Sequence, residues 1–193
     1  METGHVTVSI AESQTKRGEH VRSQFVFLAL VSAAIAAPAF ATTYLTVPQA
    51  QALMFPGATF QPDNRTLTDA HVAAIQKDGG VPVTNRTVHA WRVSTGGWFI
   101  VDQVIGKHDY ITFGVGLDAN GSVRSIEILD YREAQGYQVR DQAWRAQFSG
   151  AHHGAPLRFG QEIRNISGAS LSSRHITDGV RRLLATYAIA LAS

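Results

Sequence analysis

Cysteine is absent from the chain, which removes disulfides and thiolate metal sites as means of holding or working the fold. An excess of one charge is missing too. Seventeen basic and fifteen acidic residues leave a net +2, and they are scattered. No basic stripe interleaved with aromatics appears, so nucleic acid is not indicated as a partner. Internal repeats and low-complexity tracts are also lacking. There is no Gly-x-Ser-x-Gly elbow, and no Ser-x-x-Lys begins at a serine of the C-terminal cluster described below. A serine-hydrolase reading therefore finds no base. Nucleotide-type phosphate loops are missing as well: Gly114-Val115-Gly116 lacks the third glycine and a following helix.

The chain also has no apolar run of spanning length. The longest, Phe25 to Ala37, falls short of the ~20 residues a membrane helix needs. Lys16, Arg17 and Arg22 precede it, and Pro38-Ala39-Phe40-Ala41 follows with the small residues of a signal peptidase site. This pattern predicts export, to the periplasm or beyond, with cleavage after Ala41. A retained leader would instead leave a membrane-anchored protein. The reading divides the chain into a leader at 1–41, a helical segment at 42–84 and a main domain at 85–193.

In the helical segment, Thr46 is placed to cap a short helix with Pro48 in its first turn, ended by Pro56-Gly57. Thr68 is placed to cap a second, from Asp69 to about Lys77, stopped by Gly79-Gly80. His71 reads as a surface residue of that helix. From Val88 the period becomes that of strands. Val88–Val93, Trp98–Ile105, Tyr110–Leu117 and Val123–Leu129 are separated by Thr95-Gly96-Gly97, by Gly106 to Asp109, and by Asp118-Ala119-Asn120-Gly121. Four adjacent strands with tight turns predict an antiparallel meander with one face covered. Asp141 opens a short helix carrying Trp144 and Phe148. A last amphipathic helix is predicted from about Arg174 toward Ala190, its buried face built from Ile176, Val180, Leu183, Leu184, Tyr187 and Leu191. The fold class is α+β: one curved antiparallel sheet packed by helices.

Just before that helix stands Ser167-Gly168-Ala169-Ser170-Leu171-Ser172-Ser173. A helix start offers free backbone N–H groups and the positive end of the helix dipole, a seat suited to phosphate. Ser170 places a hydroxyl there, and Arg174 adds a guanidinium. His152-His153 is not a metal reading, since adjacent histidines in an extended stretch point apart and no third ligand stands at spacing. Lys107, His108 and Asp109 read as a polar hairpin turn.

Ser167-Gly168-Ala169-Ser170 with Ser172 resembles the flavinylation motif of the FMN-binding domain family. That family includes the covalent-flavin subunits of Na+-pumping NADH:quinone reductase and Rnf-type complexes. Its usual pattern is Asp, two residues, Ser or Thr, Gly, Ala, Thr, any residue, then Ser or Thr. Here Ser170 stands at the acceptor threonine and Arg164 at the aspartate. Glu133-Ala134-Gln135-Gly136-Tyr137 is similar to the family's Glu-Thr-Pro-Gly-Leu-Gly segment, matching at Glu133 and Gly136, with Trp144 and Phe148 following like its Trp…Phe pair.

The resemblance covers roughly residues 85–190 and implies an exported electron-transfer protein rather than a self-contained enzyme. It implies FMN esterified through its phosphate to Ser170, supplied from FAD by a Mg-dependent flavin transferase. It implies binding residues at Ser167, Gly168, Ala169, Ser172, Ser173 and Arg174 on one stretch, and at Glu133, Gly136 and Tyr137 on the other. Tyr131, Tyr137 and Trp144 are the nearby aromatic candidates for the flavin ring, and a membrane or periplasmic redox protein is the implied partner. Two alternatives stay open: a non-covalent flavin or ligand module, and an exported interaction domain without a redox role.

Overall fold

A computed structural model describes residues 42–192. The predicted leader and its expected cleavage after Ala41 lie outside these residues. Two capped helices come early. Helix α1 (Val47–Met54) begins at Thr46, whose Oγ1 accepts from the Gln49 N–H while Gln49 Oε1 accepts from the Thr46 N–H at 2.8 Å. Helix α2 (Asp69–Gly79) begins at Thr68, which accepts from the His71 N–H at 3.2 Å. It runs past Lys77 to include Gly79, and Gly80 alone takes the left-handed conformation (φ 63°) that ends it. His71 is half-buried rather than on the open surface.

The meander follows as predicted. Its strands are β4 (Thr87–Val93), β5 (Trp98–Ile105), β6 (Tyr110–Leu117) and β7 (Val123–Tyr131), each antiparallel to the next. Three short strands from the helical segment extend it: β1 (Thr42–Thr43) pairs with β7, while β2 (Phe60–Pro62) and β3 (Arg65–Thr66) pair with β4. The sheet order is β1-β7-β6-β5-β4-β2. The first part of the segment thus contributes strands as well as helices to the sheet.

The two sheet faces are filled differently. One carries Ile100, Ile111, Phe113, Val115 and Ile126 against α2 and the C-terminal helix. The other carries Phe99, Val93 and Leu129 against Ala50, Met54 and Phe55 of α1 and its end. Gly114 and Gly116 serve this second packing. A Cβ at Gly114 would stand 2.9 Å from the Phe99 ring, and one at Gly116 2.9 Å from the Phe55 ring.

After β7 come a 3-10 turn (Tyr137–Arg140), the short helix α3 (Gln142–Arg145) and a second 3-10 turn (Ala146–Phe148). Asp141 occupies the cap position of α3 without a side-chain capping bond. The last helix, α4, spans Ser170–Thr186 and continues into a π-helical turn at Tyr187–Leu191. It starts at Ser170, not Arg174, so the serines predicted to precede the helix are its first turn. Of their hydroxyls only that of Ser173 bonds back along the helix, as those of Thr177 and Thr186 do further on. Ser173 Oγ donates to the Ala169 carbonyl (2.9 Å), Thr177 Oγ1 to Ser173 (2.7 Å) and Thr186 Oγ1 to Arg182 (2.9 Å). Lower down, Arg182 pairs with Asp102 of β5 at 2.6 Å and donates to the Pro82 and Gln103 carbonyls, each at 3.2 Å. Gly179 lets the helix lie close on the sheet, because a Cβ there would stand 2.8 Å from the Phe113 ring.

Candidate functional site

The two stretches singled out in the sequence meet in space. Gly136 is left-handed (φ 92°), and a Cβ on it would stand 2.5 Å from Ala169 Cβ and 2.5 Å from the Tyr131 hydroxyl. Only glycine allows this backbone shape and this approach together. The turn after β7 is therefore pressed against the residue that opens α4. On the other side Gly168, also left-handed (φ 80°), turns the chain into the helix, with the Ala169 N–H bonded to Ile166 at 2.9 Å.

The serines of the motif have separate fates. Ser172 and Ser173 are buried, and both hydroxyls are engaged within the protein. Ser167 and Ser170 are exposed. No described residue bonds the Ser170 hydroxyl. The first bond that closes α4 is Ser173 N–H to the Ala169 carbonyl at 3.0 Å. The N–H groups of Ser170, Leu171 and Ser172 thus have no acceptor among the described residues. The first turn holds no acidic side chain, so its positive dipole end is uncompensated and suited to an external anion.

Arg174 lies one helical turn beyond Ser170, on the same face. Its guanidinium stacks over the Phe159 ring, 4.9 Å from the centroid. Phe159 escaped the sequence reading because its loop reaches α4 only through the tertiary fold. Leu171, beside Ser170, is a large apolar side chain left 44% exposed, and Tyr137 is 60% exposed. Both are apolar surfaces open near the helix mouth. Tyr131 and Trp144 are core aromatics. Trp144 donates its indole N–H to the Arg164 carbonyl at 2.9 Å. Arg164 itself points to Gln147, whose Oε1 accepts both its backbone N–H (3.0 Å) and its Nε (3.2 Å).

Glu133 does local work. Its carboxylate accepts the His108 N–H at 2.6 Å and the Asp109 N–H at 3.0 Å, gripping the β5–β6 hairpin. Burial raises the Glu133 carboxyl, but the N–H groups of Asp109, His108 and Lys107 outweigh it and hold the group below its ordinary 4.5. Lys107, His108 and Asp109 form a hairpin turn, as read from sequence. From the other side, His175 Nδ1 lies 2.6 Å from the Ile105 carbonyl, where its N–H tautomer donates. Hairpin, Gly136 turn and α4 mouth are thus tied into one corner of the molecule.

Elsewhere, His153 Nε2 is 2.6 Å from Asp78 on α2, and no group of three metal-ligating side chains exists among the described residues. A cleft of about 350 Å³ lies over β4, β5 and β6, lined by residues such as His89, Gln103, Tyr110 and Thr112. It does not include the motif. The corner at Ser170 instead offers an exposed hydroxyl beside free N–H groups.

A model of the FMN-binding domain family matches residues 106–185. That span runs from the Glu133-gripped hairpin through α4, and it contains both stretches that meet at Gly136 and Ala169. No curated protein matches the chain.

Proposed function

We propose, from the match of the FMN-binding domain family model to residues 106–185, that the chain is an exported electron carrier of that family whose FMN is esterified to Ser170. The observation that carries the reading is the contrast within one turn of helix. Ser170 is exposed and unbonded by any described residue, whereas Ser172 and Ser173 are buried and spent on internal bonds.

FMN, when bound, would supply one- and two-electron transfer. The chain's residues hold and orient it. The free N–H groups of Ser170, Leu171 and Ser172 would hold the phosphate, and Arg174 would add a cation on the same helical face. Tyr137 and Leu171 offer the apolar surface that a flavin ring seeks. Attachment is the work of a separate Mg-dependent flavin transferase. Ser170 Oγ bonds to the phosphorus on the flavin side of FAD as the pyrophosphate P–O bond breaks. AMP leaves, and the serine proton passes to base. The partner in electron transfer is then a membrane or periplasmic redox protein.

Arg164 favours a second reading, non-covalent FMN, because it stands where the family motif carries an aspartate and is engaged with Gln147. Co-expression with a flavin transferase separates the two. Retained fluorescence after denaturing electrophoresis, and an intact mass raised by one FMN less water, support the ester. Colour that is lost on denaturation supports the second reading.

A further inference from the structure

Tyr131 is buried to 3% exposure at the end of β7, yet its hydroxyl reaches both stretches of the site. It bonds the Gln135 carbonyl and lies 3.2 Å from Ser172 Oγ. A carbonyl cannot donate, so the single Tyr131 proton is committed to Gln135. Ser172 must then be the donor to the tyrosine oxygen. The result is a directed chain: Ser172 O–H to Tyr131, Tyr131 O–H to Gln135. It joins the first turn of α4 to the turn that carries Gly136, where Ala169 is in close contact. Burial pushes the Tyr131 phenol up against the opposing bond from Ser172, so the proton that this chain needs is retained. Such a buried chain is stiff because each bond polarises the next and neither partner has water to turn to.

We infer that Tyr131 is a positioning residue for flavin attachment: through Ser172 it fixes the first turn of α4 so that Ser170 Oγ stands outward among its free N–H groups. This rests on the Ser170 reading above. The chain is not a fold requirement in the manner of the Arg182–Asp102 pair, since α4 is held to the sheet along the rest of its length by Ile176, Val180, Leu183 and Leu184. The effect of losing the hydroxyl therefore belongs at the helix mouth.

The test is the rate of covalent FMN incorporation into the full chain by a flavin transferase supplied with FAD and Mg. It is run at a temperature where each variant gives the native circular-dichroism spectrum. Tyr131→Phe is expected to slow incorporation about tenfold, the fold-change of one buried hydrogen bond. Ser172→Ala is expected to slow it less, and the double variant is expected to be no slower than Tyr131→Phe. Tyr187→Phe, which removes a partly buried hydroxyl at the far end of the helix, is expected to keep the wild-type rate. Incorporation by Tyr131→Phe at the wild-type rate overturns the inference while leaving the flavin reading intact. A wild-type chain that takes no flavin overturns the attachment reading itself, and this inference with it. If Tyr131→Phe does not reach the native spectrum, Ser172→Ala decides alone: a slowed rate supports the positioning role and an unchanged rate ends it.

Discussion

Along the stem of α4, Thr177, Arg182 and Thr186 are buried, and each is bonded to a carbonyl or to Asp102. At its mouth Ser170 is exposed, and three N–H groups have no acceptor among the described residues. The same helix thus spends its polar groups in one region and holds them in reserve in the other. Buried polar groups must find internal partners because unpaired ones cost about 1–3 kcal/mol. At a surface the same groups stay available to an external ligand at little cost. A polar group that the fold does not use is therefore a better guide to function here than one it does.

Substitutions that separate the two regions test this comparison most directly. The largest effect is Ser170→Ala. It is expected to abolish retained in-gel fluorescence and the FMN mass increment, while moving the urea midpoint by no more than the ~0.5 kcal/mol usual for exposed sites. Loss of fluorescence with Ser167→Ala instead would move the acceptor to the other exposed serine. The converse variant is Asp102→Ala, which strands Arg182 without its partner. It is expected to cost about 3–5 kcal/mol in urea unfolding, with flavin incorporation intact at temperatures where the chain is folded. Gly179→Ala sets two effects against each other. Helix propensity alone promises a gain of about 1 kcal/mol, but the added Cβ would stand 2.8 Å from Phe113 and 2.9 Å from Val104. Overpacking of about 1–3 kcal/mol wins, so thermal unfolding is expected at lower temperature.

The smallest effect is the pH response of Glu133→Gln. The wild-type carboxyl titrates below its ordinary 4.5 when folded. Its stabilisation is therefore complete above the unfolded value and is lost as pH falls through the lowered folded one. Urea midpoints followed downward in pH are expected to fall more steeply for wild type than for the variant. Equal slopes would show that Glu133 does not grip the hairpin.

Much of this was legible in the chain itself, and what was not has a common physical cause. The strands from Trp98 to Ile105 and from Tyr110 to Leu117 match their predicted ends because alternation and tight turns are local signals. Thr46 and Thr68 cap as read, for the same reason. Strands β1, β2 and β3 were missed since two or three residues carry no period, and only a neighbouring strand makes them strands. The start of α4 was placed late because serine hydroxyls serve equally as caps or as back-bonding helical residues, and tertiary packing chooses. At the site, the Ser167–Ser173 and Glu133–Tyr137 stretches were visible as motifs. Their contact through Gly136 and Ala169 was not, nor were the Phe159 stack on Arg174 and the Tyr131 link, all of which cross from one part of the chain to another.

Ser170 belongs to the first turn of a long, well-packed helix and not to a loop. A group bonded to its oxygen would hang from a fixed post, free to rotate about a few single bonds but not to be carried across the molecule. Electron exchange would then require the partner to approach this corner within tunnelling distance. The docking geometry between the two proteins, more than any swinging arm, would set how fast current flows.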